Sequence, residues 1–181
     1  QYRMCQRVQY FSSREFYDGK LRPATPEVAG QSLADLGVDT DDLPPALRDP
    51  VCFVDPDGEQ VGNTNPVEAD RVAEVVEAYV EAGVPREDIG VIAPFRAQVA
   101  EISKRLPETT VDTVDRFQGS ATEVVVVSFV ATGELDGPIF EDHRRMNVAL
   151  SRAKKALALV GDADALGGEP FYARLLRWAR A

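Results

Sequence analysis

Residues Glu123 to Val130, EVVVVSFV, constrain the fold more than any other stretch of the chain. The run is rich in valine and does not alternate with polar residues. That pattern belongs to a strand buried on both faces, the usual condition in a parallel α/β sheet. A shorter β-branched run, Val111 to Val114, precedes it, and Asp115-Arg116-Phe117-Gln118-Gly119-Ser120 lies between the two. Loops at the ends of such strands are where α/β proteins place ligand chemistry. The same pattern also serves as a plain strand–turn–strand core element.

Other elements follow from pattern. Cys5 to Phe16 reads as helix, with Gly19 as its stop, and Val51 to Asp55 as strand. Asn65-Pro66 is a helix start, with Asn as cap and Pro in the first turn. Val72, Val75, Val76, Tyr79 and Val80 then recur at helical spacing up to Gly83. Ile89 to Ala93 is a strand, followed by a helix from about Arg96 to Leu106. Glu141 to about Lys154 is expected as one helix, with acids at its start, lysines at its end, and Met146, Leu150 and Ala153 as its apolar stripe. On such a helix Arg145 and Arg152, seven apart, project within about 20° of each other. Leu157 to Gly161 is the last strand and Phe171 to Trp178 a closing helix. Residues 23–50, with their prolines and the acidic run Asp39-Thr40-Asp41-Asp42, are expected as a solvated surface loop.

The 181 residues suit one α/β domain, and 44% hydrophobic content is enough for a folded core. The net charge of −10 argues at first against nucleic acid. Its distribution argues otherwise. Residues 26–90 hold sixteen acids and three bases, a net of −13, and the remainder is mildly basic at +3. A local basic patch can bind a strand while the rest of the surface is acidic. No apolar run is long enough for a membrane span, so the expected setting is the cytoplasm. Cys5 and Cys52 have no metal spacing, His143 has no partner cluster, and no metal-ligand set is expected.

Four blocks occur in order: Gln1-Tyr2-Arg3-Met4, Gly90-Val91-Ile92-Ala93-Pro94-Phe95, the Val111–Val130 stretch, and Arg144-Arg145-Met146-Asn147-Val148-Ala149-Leu150-Ser151-Arg152-Ala153-Lys154. Together they resemble the second RecA-like domain of superfamily 1 helicases. They are closest to the 5′-to-3′ group that holds the nonsense-mediated-decay RNA helicase and the replication helicase–nucleases. The resemblance runs from the first residue to about Gly161. It implies an α/β, RecA-like P-loop NTPase fold, a mostly parallel sheet flanked by helices, without a phosphate loop of its own. No GxxxxGK[ST] element or acidic Mg²⁺-holding block is present. By resemblance both belong to a first domain, so the chain is expected to be a fragment of a longer enzyme and inactive alone. ATP and Mg²⁺ would be held mainly by that first domain.

The resemblance also implies residue roles. Tyr2 would stack near the adenine, and Arg3 and Arg152 would reach the γ-phosphate as arginine fingers. A planar, permanently charged guanidinium suits charge on a transferring phosphoryl group. Gln118 and Gly119 would face the nucleotide. The family's ribose-binding acid falls at Ala121, so either Glu123 substitutes or that contact is weaker. Pro94 and Phe95 would touch a sugar or base, with Gln98 close by, and Thr113 would hold a strand phosphate. Phe95 equally reads as a core residue. Two further departures stand out: Cys5-Gln6 replaces a common His-Pro, and Ala93 a common Thr. The implied activity is that of an ATP-dependent helicase in DNA replication and repair, acting on single-stranded DNA, with RNA open. Two rival readings remain: a non-catalytic nucleic-acid-binding module of a degenerate helicase, and a structural domain serving as a protein interface.

Overall fold

The computed structural model describes residues 1–117 and 121–181. Five strands form one parallel sheet: β1 (Val51–Val54), β2 (Ile89–Ala93), β3 (Thr110–Thr113), β4 (Thr122–Ser128) and β5 (Ala153–Val160). Their order is β1-β5-β4-β2-β3. Helices α1 (Gln6–Phe16), α2 (Pro26–Gly30), α3 (Pro66–Ala82), α4 (Arg96–Arg105), α5 (Pro138–Glu141), α6 (His143–Leu150), α7 (Ala163–Gly167) and α8 (Pro170–Arg180), with four short 3-10 turns, complete the described elements. The parallel α/β sheet expected from the valine run, and the RecA-like class implied by the resemblance, are observed. No helix among the described residues is long and apolar enough to cross a membrane.

β4 is the middle strand, and the pleat splits its valines between two cores. Val125 and Val127 face the layer that contains α1, α6 and α8, packing with Val8, Met146, Leu150 and Trp178. Val124 and Val126 face the layer of α3 and α4, with Val72, Val76, Tyr79 and Ile102. Asn65 caps α3 by accepting from the Glu68 backbone N–H, as its sequence position suggests.

Two expectations change. Residues 23–50 are not a free solvated loop. They contain α2 and three short 3-10 turns, and they bury Leu33, Val38, Leu43 and Leu47 in the α3-side core. The acidic run Asp39–Asp42 stays exposed between those anchors. The expected single helix over 141–154 is instead two helices and the start of a strand. Asp142 leaves the helical conformation and caps α6 with its side chain, accepting from the Arg144 N–H. After Leu150 the chain pairs with β4, beginning at Thr122 opposite Ala153, so Arg152 lies in the turn between α6 and β5. Ladder pairing has overridden the local helical signal.

The α3-side core also holds a polar cluster. Glu68, Asn65, Gln98 and Ser128 are all fully buried. Glu68 Oε1 accepts from Ser128 Oγ at 2.6 Å and from the Val130 N–H at 2.7 Å. Asn65 Nδ2 donates to the Val130 carbonyl at 3.1 Å and, more weakly, to Glu68 Oε2 at 3.4 Å. Gln98 clasps the Asn65 backbone from both sides, its Oε1 accepting from the N–H and its Nε2 donating to the carbonyl, and Nε2 also reaches Ser128 Oγ. Burial pushes the Glu68 carboxyl up to about 7, against the opposing pull of the Ser128 and Val130 donors.

Two predictions follow from this packing. A Cβ on Gly90 would sit 2.3 Å from Cζ of the buried Phe117 ring. Gly90→Ala should therefore lower unfolding free energy in denaturant by about 1–3 kcal/mol through overpacking. The second concerns the proton on Glu68. Its native value is raised from 4.5 to about 7, so its contribution is fully present below 4.5 and is lost as pH rises through 7. Wild type should lose roughly 3 kcal/mol relative to Glu68→Gln across that window in parallel denaturant titrations. A pH-independent difference between the two proteins would mean that Glu68 keeps one charge state throughout.

Candidate functional site

In a parallel sheet all strands end on the same side, and the chain places a candidate surface at each edge. At the carboxyl ends of β2 and β3 lies a groove of about 370 Å³. Pro94, Phe95, Thr113, Arg116 and Arg145 line it. β2 and β3 pair with Ala93 opposite Thr113, which brings the Pro94-Phe95 corner beside the end of β3. Pro94 is buried and Phe95 half-buried, so the aromatic ring is partly available to a ligand. The ring rests on Gly137, where a Cβ would come within 2.8 Å of Cε1 and Cζ. Gly137 also has φ +111, so only glycine suits both the backbone and the close approach. Arg96, Arg116 and Arg145 give the groove a basic rim, with Arg145 paired to Asp115 at 2.6 Å. Such exposed pairs hold geometry and add little stability.

Gln98 does not join Pro94, Phe95 and Thr113. Its side chain is fully buried and engaged with Asn65 and Ser128, away from any strand path. The α4 helix begins after Phe95, and Gln98 falls on its inner face. Glu68 is the residue that sequence reasoning passed over. The signal was its position four before Val72, in register with the apolar stripe of α3, where a carboxylate must be buried or displaced.

The other surface lies at the amino ends of β4 and β5. Arg3 Nη1 donates to the Ser151 carbonyl at 3.2 Å. Arg152 Nε donates to the Val148 carbonyl at 3.2 Å and its Nη2 reaches Ser151 Oγ at 3.5 Å. The unpaired carbonyls at the end of α6 thus draw two guanidinium groups onto one turn. Arg152 is held below the ordinary arginine value, first by burial and second by the charge of Arg3. Two cations gathered in a partly dry setting form a place where a polyanion lowers the electrostatic energy. Tyr2, beside Arg3, is 82% exposed and presents its ring to solvent. Glu123 lies near this edge, but its carboxylate is engaged by Lys155 across the β4–β5 pair. Gln118 and Gly119 lie outside the described residues.

Helix α6 connects the two surfaces. From Arg145 in the groove to its C-cap Ser151 at the arginine pair it rises about 9 Å.

Comparison with known proteins agrees with this architecture. A family model described as an AAA domain, AAA_12, matches residues 1–164. An uncharacterized ATP-dependent helicase of Methanocaldococcus jannaschii is 34% identical over all of this chain and 28% of its own length. The human DNA replication ATP-dependent helicase/nuclease DNA2 is 33% identical, covering 97% of this chain and 19% of that protein. The rat DNA-binding protein SMUBP-2 is 36% identical with the same two coverages, 97% and 19%. The chain therefore spans under a third of the length of these relatives. Among solved structures, the C-terminal domain of a possible DNA helicase from Lactobacillus plantarum WCFS1 superposes with a TM-score of 0.57. That match covers 96% of this chain and 92% of the other at 14% identity, a likeness of fold. With its motif blocks, its sheet and these relatives in agreement, the chain belongs to the AAA-domain family of superfamily 1 helicases and has a RecA-like fold.

Proposed function

We propose that this chain is the second motor domain of an ATP-dependent helicase that moves 5′ to 3′ on single-stranded nucleic acid, DNA in preference to RNA. The observation that carries the reading is the convergence of Arg3 and Arg152 on the end of α6, whose opposite end reaches the strand groove. DNA is favoured because the relatives are named for DNA replication and DNA binding. The setting is cytoplasmic or nucleoid-associated, and the work is replication or repair.

ATP, with Mg²⁺, would be held by a first RecA-like domain elsewhere in the same protein, and it supplies the phosphoryl group to be transferred. This domain brings the charges. Arg3 and Arg152 would stabilise negative charge on the phosphoryl oxygens, and their shared anchorage at Ser151 fixes both guanidinium groups before closure. Tyr2 offers a face for the adenine. Glu123 would serve the ribose only by exchanging its Lys155 contact. On the opposite edge, Phe95 provides a stacking surface indifferent to base identity, Pro94 shapes the corner, and Thr113 holds a phosphate at the end of β3. Closure on nucleotide and reopening after hydrolysis would move the groove relative to its counterpart on the first domain, so that each in turn holds the strand. This domain alone has no hydrolytic activity in that scheme.

Strand-stimulated ATP hydrolysis by the full-length protein tests the arginine pair. Arg152→Ala should lower turnover by about 10³-fold while leaving nucleotide binding in place. A mutant with wild-type turnover would make Arg152 a helix-end residue only, and a full-length wild type inert with every strand would favour the non-catalytic binding module. Thr113→Ala tests the groove separately. It should weaken strand binding while leaving the salt slope, which is set by the cationic contacts, as in wild type. Wild-type binding would favour a role as a protein interface.

A further inference from the structure

We propose that Glu68 is a positioning residue for strand binding. It locks a strained turn at Val130 and, through the loop which that turn launches, keeps the Phe95 ring seated in the groove. The inference rests on the strand-binding reading of the groove.

The strain is visible in the backbone. Val130 is β-branched, fully buried, and has φ +67, a region such residues rarely enter. The Ala131 N–H donates to the Phe129 carbonyl at 2.7 Å, which closes a three-residue γ-turn around Val130. A positive-φ γ-turn on valine persists only where its surroundings over-determine it. Here they do. The Val130 N–H is taken by Glu68 Oε1 and its carbonyl by Asn65 Nδ2, so both backbone groups of the strained residue are held from the start of α3.

The turn sits at the end of β4, next to the groove. The chain after it runs through Thr132, whose Oγ1 accepts from the Gln60 N–H, and reaches Gly137 beneath the Phe95 ring. Phe95 is fixed from its other side by the same cluster. It is the residue before α4, and Gln98 in the first turn of that helix grips the backbone of Asn65. Both supports of the ring, the α4 start and the Gly137 loop, therefore trace to the Asn65–Glu68 corner. Glu68 itself is buried and cannot touch a strand. Its effect must pass through the ring.

The test is titration of a fluorescein-labelled oligothymidine with the full-length protein at several KCl concentrations, with circular dichroism on each variant. Phe95→Ala should weaken binding about five- to a hundredfold, the range of one lost base stack. Glu68→Ala should weaken it by roughly tenfold with the wild-type salt slope, because stacking is lost and no phosphate contact is. Glu68→Gln keeps an oxygen for Ser128 and Val130, and should restore near-wild-type affinity. A folded Glu68→Ala that binds like wild type, or that binds weakly with a flattened slope, overturns the inference while a weakened Phe95→Ala leaves the groove reading standing. If wild type does not bind, or Phe95→Ala matches it, both fall together. Should Glu68→Ala not fold, Ser128→Ala removes one hydroxyl from the same cluster. Weaker binding at an unchanged slope then supports the proposal, and wild-type binding defeats it.

Discussion

The burial of β4 on both faces is the constraint from which the rest of the molecule follows. Four consecutive valines, Val124 to Val127, are completely buried. Burying a valine side chain is worth about 1.5–3 kcal/mol relative to leaving it in water. A strand with no polar face needs a helical layer on each side and a paired strand along each edge. β5 and β2 supply the edges, α1, α6 and α8 one layer, and α3 with α4 the other. Parallel pairing then forces a crossover between successive strands, and all crossovers begin at one edge of the sheet and finish at the other. Residues as far apart in sequence as Arg3 and Arg152, or Phe95 and Gly137, meet because this sorting leaves them nowhere else to go.

That sorting also gives the chain two separate working edges joined by one short helix. At one edge is an aromatic, basic-rimmed groove, and at the other a pair of guanidinium groups on the carbonyl end of α6. A helix of eight residues does not bend appreciably. Under the proposed function, a displacement of the arginine pair on contact with an anion would be carried along it about 9 Å to Arg145. In the proposed motor, such a rigid connection would join the place that senses phosphate to the place that holds a strand. The helix end serves twice, since the carbonyl dipoles that attract the two arginines also fix their direction before any ligand arrives.

Much of this was legible from residue pattern. The valine run foretold the central strand, the Val72–Val80 stripe and its Asn65 cap foretold α3, and Ile89–Ala93 matches β2 residue for residue. The failures have physical causes. Ala153-Lys154-Lys155 reads as a helix end, yet Lys155 is nine-tenths buried because its ammonium meets Glu123 and its backbone completes a ladder with β4. Arg152 was thereby expected on a helix and stands in a turn. The 23–50 segment reads as solvated because its polar residues outnumber Leu33, Val38, Leu43 and Leu47, although four spaced anchors suffice to pin it. Gln98 lies three residues past a motif block and so was expected close to the groove, but it faces inward, because the first turn of α4 presents that position to the core. Pattern gives the face of a helix more reliably than it gives what a polar residue on that face is bonded to.

The buried cluster around Glu68 shows why that last kind of information matters. Hydrophobic contacts are non-directional, and a core made only of them tolerates small rotations of its loops. An apolar replacement of a buried charged group is often as stable or more so. Stability alone therefore does not account for a carboxylate at the base of α3 or for a β-branched residue held at positive φ. Directional bonds account for both. Two hydrogen bonds fix the orientation of the Val130 peptide groups, two more fix Asn65 relative to α4, and Ser128 joins the sets. Three sequence-distant elements are left with a single mutual arrangement, and the ring of Phe95 stands at the place where that arrangement reaches the surface.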